Sequence, residues 1–429
     1  MRSSLILAFT LLAACGSNNS GNKTDANGGG DGAGGDTPGG GNPTTVTVTL
    51  NNRPNTAATY TFLTAYQDGA GAWQAAPAPS GDTYSFTINS PVWGFAWTCI
   101  VPGTTPAIAR VELAYFTVAE KKSLTETIPN GCTDRTMNVG VTGTTSNLGG
   151  GGTAAFRADY ATASRALMTN GNWGLEGPPG PHDLFLTHGA IVGTGAVVDK
   201  VVRTTATGPQ TGIALDYSTA VTADTATATV PTGAAATSTL YSAGGTQVTL
   251  ALGGTTLVGL HSTQAMTGDI YQLSSTTRGQ GSTETSEIWA TTVAAQTFTA
   301  PAGLGGATST VTGTTPYPII KTTWNPYTSA VGYAWDARQG AGGTAAGSPL
   351  QWTAILGPGY VGAMPAFQMP DLSMLTGWSA SFQPVTGQMV TGTALAETSS
   401  AGAADFPTVN PAASGTTRTV VTSGWNVTP

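Results

Sequence analysis

The residues able to do chemistry in this 429-residue chain are few and far apart. It contains three histidines, His182, His188 and His261, and three cysteines, Cys15, Cys99 and Cys132. On one strand His182 and His188 would share a face yet sit about 20 Å apart, too far to chelate a common ion. His182 and Asp183 are no better placed, since neighbours on a strand point to opposite faces. The chain has no Gly-x-Ser-x-Gly, no His-Glu-x-x-His and no Gly-x-x-x-x-Gly-Lys-Ser/Thr, so it carries no nucleophile elbow, zinc-protease helix or phosphate loop. A glycosidase needs only two carboxylates about 5–10 Å apart, and Asp269, Glu284, Glu287, Asp336 and Asp371 are the candidates. They are sparse and scattered, and turns and solubility explain them more simply. No catalytic residue, metal or cofactor is expected.

The most specific signal lies at the start. Leu5 to Leu12 form an apolar run behind Met1 and Arg2; a bilayer span needs about 20 apolar residues, so this length suits a signal peptide. The run ends in Leu12-Ala13-Ala14-Cys15, which resembles the lipobox of bacterial lipoproteins. The resemblance implies a signal peptide over residues 1–14, cleavage before Cys15, and a Cys15 that bears diacylglycerol and an N-acyl chain such as palmitate. Each buried methylene adds about 0.8 kcal/mol, so more than one chain anchors stably. Gly16 in place of Asp implies export to the outer membrane. Residues 15–43 then read as the lipidated cysteine and a disordered Gly-rich linker, too poor in apolar side chains to order itself. A coil of about 28 residues spans roughly 30 Å. The run Gly29 to Asp36 lacks the apolar position of glycine–aspartate calcium repeats and reads as plain linker.

The remainder is expected to be all-β: several β-sandwich domains, immunoglobulin-like or transthyretin-like, in tandem after the tether. Charged residues make up 9% of the chain and Gly numbers 59. Thr and Val alternate repeatedly, while long 3.6-residue apolar patterns are nearly absent. A net charge of −7 with 15 Lys and Arg leaves no basic stripe and argues against nucleic acid as a partner.

Four segments follow from the spacing of strands and turns. Residues 44–138 form a sandwich in which Trp93, Phe95, Trp97 and Cys99 share one face. That face is either an aromatic platform for sugars or, more simply, the inner face of the sandwich; Gly94, Ala96 and Thr98 then face solvent. Outside the cytoplasm Cys99 and Cys132 are expected to form a disulfide, worth around 3–4 kcal/mol for a loop of about 34 residues. In residues 139–216 an opening Val139-Gly140-Val141-Thr142-Gly143 precedes a turn at Asn170-Gly171 and a loop Pro178-Pro179-Gly180 that releases an edge strand. This pattern resembles carboxypeptidase regulatory-like, or transthyretin-like, domains, which implies a spacer or binding module. Residues 217–305 read as a third sandwich; a propeller would need a repeat of about 40–50 residues that is not there. In residues 306–429, Trp324-Asn325-Pro326-Tyr327 followed by Val331-Gly332-Tyr333-Ala334-Trp335 resembles the second and third strands of fibronectin type III domains. Trp324, Tyr333 and Trp335 are core by that reading, and Trp352, Tyr360 and Trp378 are the candidates to line an exposed groove.

Together these features describe a non-enzymatic, lipid-anchored envelope protein of surface binding, adhesion or structural role, similar to surface lipoproteins that combine such domains. Its partners would be the membrane, through Cys15, and a glycan or protein ligand. The alternative is a polysaccharide-binding or glycoside-hydrolysing protein; a third reading is assembly into a surface filament. Cys15→Ser should lose the membrane fraction on cell fractionation, and retention there would remove the lipid-anchor argument.

Overall fold

A computed structural model describes residues 43–104, 107–135, 138–149, 155–167, 169–189, 195–340 and 350–429. They are all-β, relieved by short 3-10 turns and one four-residue helix, Pro358–Val361. No helix among them is long and apolar enough to cross a membrane.

All strands of the described residues but one fall into four sets of seven; the remaining one, Val221–Thr222, pairs with Ala196–Gly208. The first comprises Thr44–Asn51, Leu63–Asp68, Gln74–Ala75, Thr83–Ile88, Val92–Val101, Ile108–Thr117 and Ser123–Thr127. Its first strand lies between the fourth, antiparallel, and the seventh, parallel. The third, second, fifth and sixth strands form the facing sheet in that order. Val46, Val48 and Leu50 alternate inward because period two puts every other side chain on one face. The second set runs from Val139–Ser146 to Gln210–Asp216, and the third from Asp224–Thr229 to Gln296–Thr297. Both repeat the same order, with the first strand between the fourth and the seventh. The fourth set, Thr308–Gly313 to Thr417–Val427, differs. Its first, second and fifth strands make the small sheet, and its fourth, third, sixth and seventh the large one.

The large sheets do not end at their own sandwiches. Leu350–Leu356 of the fourth pairs in parallel with Ile108–Thr117 of the first. Thr417–Val427 pairs with Ser282–Ala290 of the third, and Gln247–Gly254 of the third pairs with Ala196–Gly208 of the second. One hydrogen-bonded sheet therefore crosses all four sandwiches in the spatial order first, fourth, third, second. The first and fourth also share a single hydrophobic core, while the second and third keep their own.

Trp93, Phe95, Trp97 and Cys99 fill the first sandwich, Phe95 stacking on Phe86 at 6.0 Å, and the disulfide Cys99–Cys132 joins Cα atoms 5.8 Å apart. The opposite face corrects an expectation. Ala96 and Thr98 are buried rather than solvent-facing, because the fourth segment packs there, its turn Ala380–Phe382 against the neighbouring strand. Gly94 is glycine for a reason: a Cβ would lie 2.6 Å from the Tyr115 ring. In the second set the strand after Pro178-Pro179 is central, not an edge. Gly180–Gly189 pairs with Ala196–Gly208 on one side and, from Leu184 onward, with Ala155–Tyr160 on the other. Pro181 precedes that second ladder, so its missing N–H costs no bond, and Gly180 takes the positive φ of 107° that starts the strand.

Two carboxylic acids lie inside the first sandwich. Burial pushes Glu112 up to about 8 against the hydrogen bond from Thr353, and burial pushes Glu126 up to about 7 against the bond that Trp97 Nε1 donates at 2.7 Å. The unfolded chain ionises these groups near 4.5. Their contribution to stability is therefore complete below that value and is lost as pH rises through about 7 and 8. Urea midpoints should fall from pH 5 to pH 9, and Glu112→Gln should flatten that fall; an unchanged slope would show that Glu112 ionises freely in the fold.

Candidate functional site

The candidate aromatics separate in the fold. Trp352 is 1% exposed and donates Nε1–H to the Phe382 carbonyl at 2.7 Å, so it has no face to offer a ligand; this corrects its place among the groove candidates. Trp378 is half-buried against it, ring centroids 6.0 Å apart, and stacks on Tyr317. Tyr360 stands instead on the short helix, stacked on Tyr115 at 4.8 Å. With Lys321 and Met364 it lines a 440 Å³ hollow between the first and fourth sandwiches.

The five acids do not form a pair. Asp269 receives two hydrogen bonds from Arg203 at 2.6 and 2.9 Å. Asp336 bonds Arg338 and the Thr393 backbone N–H, and Asp371 caps a turn through the Ser373 N–H. Glu284 lies on the strand Ser282–Ala290 three residues before Glu287, hence on its other face. Glu287 alone of the five reaches a broad concavity. The histidines are equally separate. His188 Nδ1 is 2.7 Å from Asp199, His182 meets the Gly244 carbonyl, and His261 meets Thr263. Among the described residues no three His, Cys, Asp or Glu side chains could hold a metal.

That concavity is a cleft of about 750 Å³ over the outer face of the third sandwich. Its floor is four strands: Ala234–Tyr241, Gln247–Gly254, Ile270–Arg278 and Ser282–Ala290. Alternation sorts their side chains. Ala236, Ser238 and Leu240 point into the sandwich, which turns Thr237, Thr239 and Tyr241 toward the cleft. Gln272, Ser274 and Thr276 sit beside them, Thr239 opposite Gln272 and Thr237 opposite Ser274. Thr276 then faces Thr285, hydroxyls 3.1 Å apart. One wall is Arg157 and Asp159 of the second sandwich, paired at 2.8 Å. The other is Thr408 and Asn410, from the loop before the last strand of the fourth.

Beneath that loop Arg418 is completely buried. It bonds both oxygens of Asp405, Nε at 2.5 Å, and the Asn410 side chain at 2.8 Å. Glu397 and Glu287 lie 3.8 and 4.0 Å away, and the guanidinium covers the Trp289 ring at 5.2 Å. Three carboxylates thus share one cation. Burial pushes Glu397 up to about 7, against the Thr408 hydroxyl and Arg418. Burial also raises Glu287, against a hydrogen bond from Gln272 and the charge of Arg418.

The floor hydroxyls escaped the sequence because outward Thr and Ser on a strand look the same whether they face bulk water or a cleft. Arg418, Glu397 and Asp405 left a fainter mark: a charge inside an otherwise apolar or Thr-rich strand, in a chain with so few. Leu12 to Cys15 and the Gly-rich segment through Asn42 lie outside the described residues. No protein-family model matches the chain, and no curated protein is detectably similar to it.

Replacing Arg418 with Met should destabilise the protein by about 3–5 kcal/mol in denaturant titrations, because the buried carboxylates lose their shared cation. A loss below about 1 kcal/mol, the range of exposed pairs, would mean that the cluster is hydrated.

Proposed function

We propose that this chain is a lipid-anchored protein of the bacterial cell envelope, held in the outer membrane through Cys15, that acts by non-enzymatic binding at the surface. The observation that carries the reading is the cleft over the third sandwich. Three sandwiches contribute to it, and one continuous sheet fixes them relative to one another. A site assembled on rigid strands holds its geometry without a ligand, which reduces the ordering that binding must otherwise impose. The charged groups at its walls and beneath them are engaged with one another: Arg157 with Asp159 at one wall, and the buried Arg418 with Asp405, Glu397 and Glu287 beneath the other. That arrangement supports holding a ligand over transforming one. Domain resemblances to carboxypeptidase regulatory-like and fibronectin type III modules point the same way.

The test is retention by mixed glycan and peptide arrays of the purified full-length protein, alongside product release from the retained ligands. Binding should appear without turnover and weaken at least tenfold in Ser274→Trp, which fills the cleft from its floor. Product release abolished by Glu287→Gln would replace this reading with a hydrolase.

A further inference from the structure

Resting on the reading of the cleft as a binding surface, we infer that its ligand is a neutral oligosaccharide chain, held by side-chain hydroxyls and amides of the floor. Three of the four floor strands are paired along both edges, and the fourth, Gln247–Gly254, has its outer edge met by Ala196 and Val197, by the Ala161 carbonyl at the Gln247 N–H and by the Arg157 guanidinium at the Thr249 carbonyl. Ala234–Tyr241 pairs with Gln247–Gly254 and Ile270–Arg278, and Ser282–Ala290 pairs with Ile270–Arg278 and Thr417–Val427. An extended peptide that recognises a sheet by adding a strand needs a free edge, and this floor offers none. What it offers is side chains alone.

Those side chains are of one chemical kind. Thr237, Thr239, Gln272, Ser274, Thr283 and Thr285 line the cleft, and every one can both donate and accept a hydrogen bond. They repeat about 6.6 Å apart along each strand and about 4.8 Å between strands. Such a grid suits a ligand that carries hydroxyl groups at short intervals and can itself donate and accept. At the end of one row Tyr241 sits half-buried against Trp289 at 5.2 Å, and its hydroxyl accepts from Gln247 at 3.2 Å. Leu252, half-buried at one side, gives an apolar surface able to cover the C–H face of a sugar ring.

Charge argues for neutrality. The Arg157 guanidinium is bonded to Asp159 and to the Thr249 carbonyl. Glu287 faces Arg418 at 4.0 Å, and burial favours its neutral form. Arg278 is exposed at the rim, where salt screens it. The volume, about 750 Å³, falls within the range of roughly 300–1,000 Å³ typical of small-ligand sites and suits a short stretch of a longer chain.

Calorimetric titration of the purified full-length protein separates the possibilities. The probes are cellohexaose, xylohexaose, maltohexaose and chitohexaose as neutral chains, oligogalacturonate as an acidic one, and a Ser/Thr-rich hexapeptide. At least one neutral chain should bind with an affinity that is the same at low and high salt. Ser274→Trp should weaken it more than about tenfold and Thr285→Val severalfold by removing one hydroxyl, with melting temperatures at the wild-type value. Binding of the acidic chain alone, or of the peptide alone, would overturn the neutral-glycan assignment while leaving the cleft a binding surface. Failure of every probe, together with blank glycan and peptide arrays, would overturn both.

Discussion

Strand edges are the constraint on which the rest of this structure depends. A sheet edge with free N–H and C=O groups invites pairing with other chains, and proteins blunt it with charge, proline, bulges or cover. A chain with 9% charged residues has little charge to spend on edges. It removes six of the eight edges of the four large sheets by pairing one sandwich to the next. Between the first and fourth sandwiches the ladder runs from Leu350 opposite Ala109 to Leu356 opposite Tyr115. Between the fourth and third it runs from Ser282 opposite Ser423 to Ile288 opposite Thr417. The edges left at the extremes of the common sheet are short, Gln74–Ala75 and Ala163–Leu167, and the second carries Arg165.

The scarce charges gather at these junctions. The ladder between the third and second sandwiches has only the pairs Ala196–Leu252 and Val197–Ala251, and there the polar reinforcement is heaviest. Arg203 joins Asp183 of the second sandwich to Asp269 of the third, both buried, and Phe185 inserts into the third core. Arg418 does the same between the fourth and third sandwiches, and Glu112 meets Thr353 between the first and fourth. Buried ions add little net stability but penalise every arrangement that leaves one unpaired. Main-chain ladders tolerate a slip of register, whereas these clusters do not, so the two kinds of contact are complementary.

Much of the architecture was legible from the residues. Period-two alternation located the strand carrying Trp93, Phe95, Trp97 and Cys99, and the two downstream cysteines indicated their disulfide. Order in space was not legible. Nothing in Leu350 to Leu356 names Ile108 to Thr117 as its neighbour, because main-chain pairing carries no side-chain code. The same silence hid the burial of Ala96 and Thr98, small residues that suit solvent and close packing equally. The cleft was invisible for a related reason. Its floor is written in the same Thr and Ser that cover the rest of the surface, and only the placement of second-sandwich and fourth-sandwich walls makes it concave. Tryptophan was a poor guide, since Trp352 serves the core.

The parallel pairing of Leu350–Leu356 with Ile108–Thr117 also sets the timetable of folding. Glu112 and Thr353 meet across 241 residues of chain, and contacts of such separation form slowly because loop closure precedes any reward. As the chain emerges N-terminus first, the sixth strand of the first sandwich waits with a bare edge until most of the protein has followed it. The sandwich that appears earliest therefore waits longest for its neighbouring strand, and the period of greatest exposure to wrong partners is built into the order of the fold.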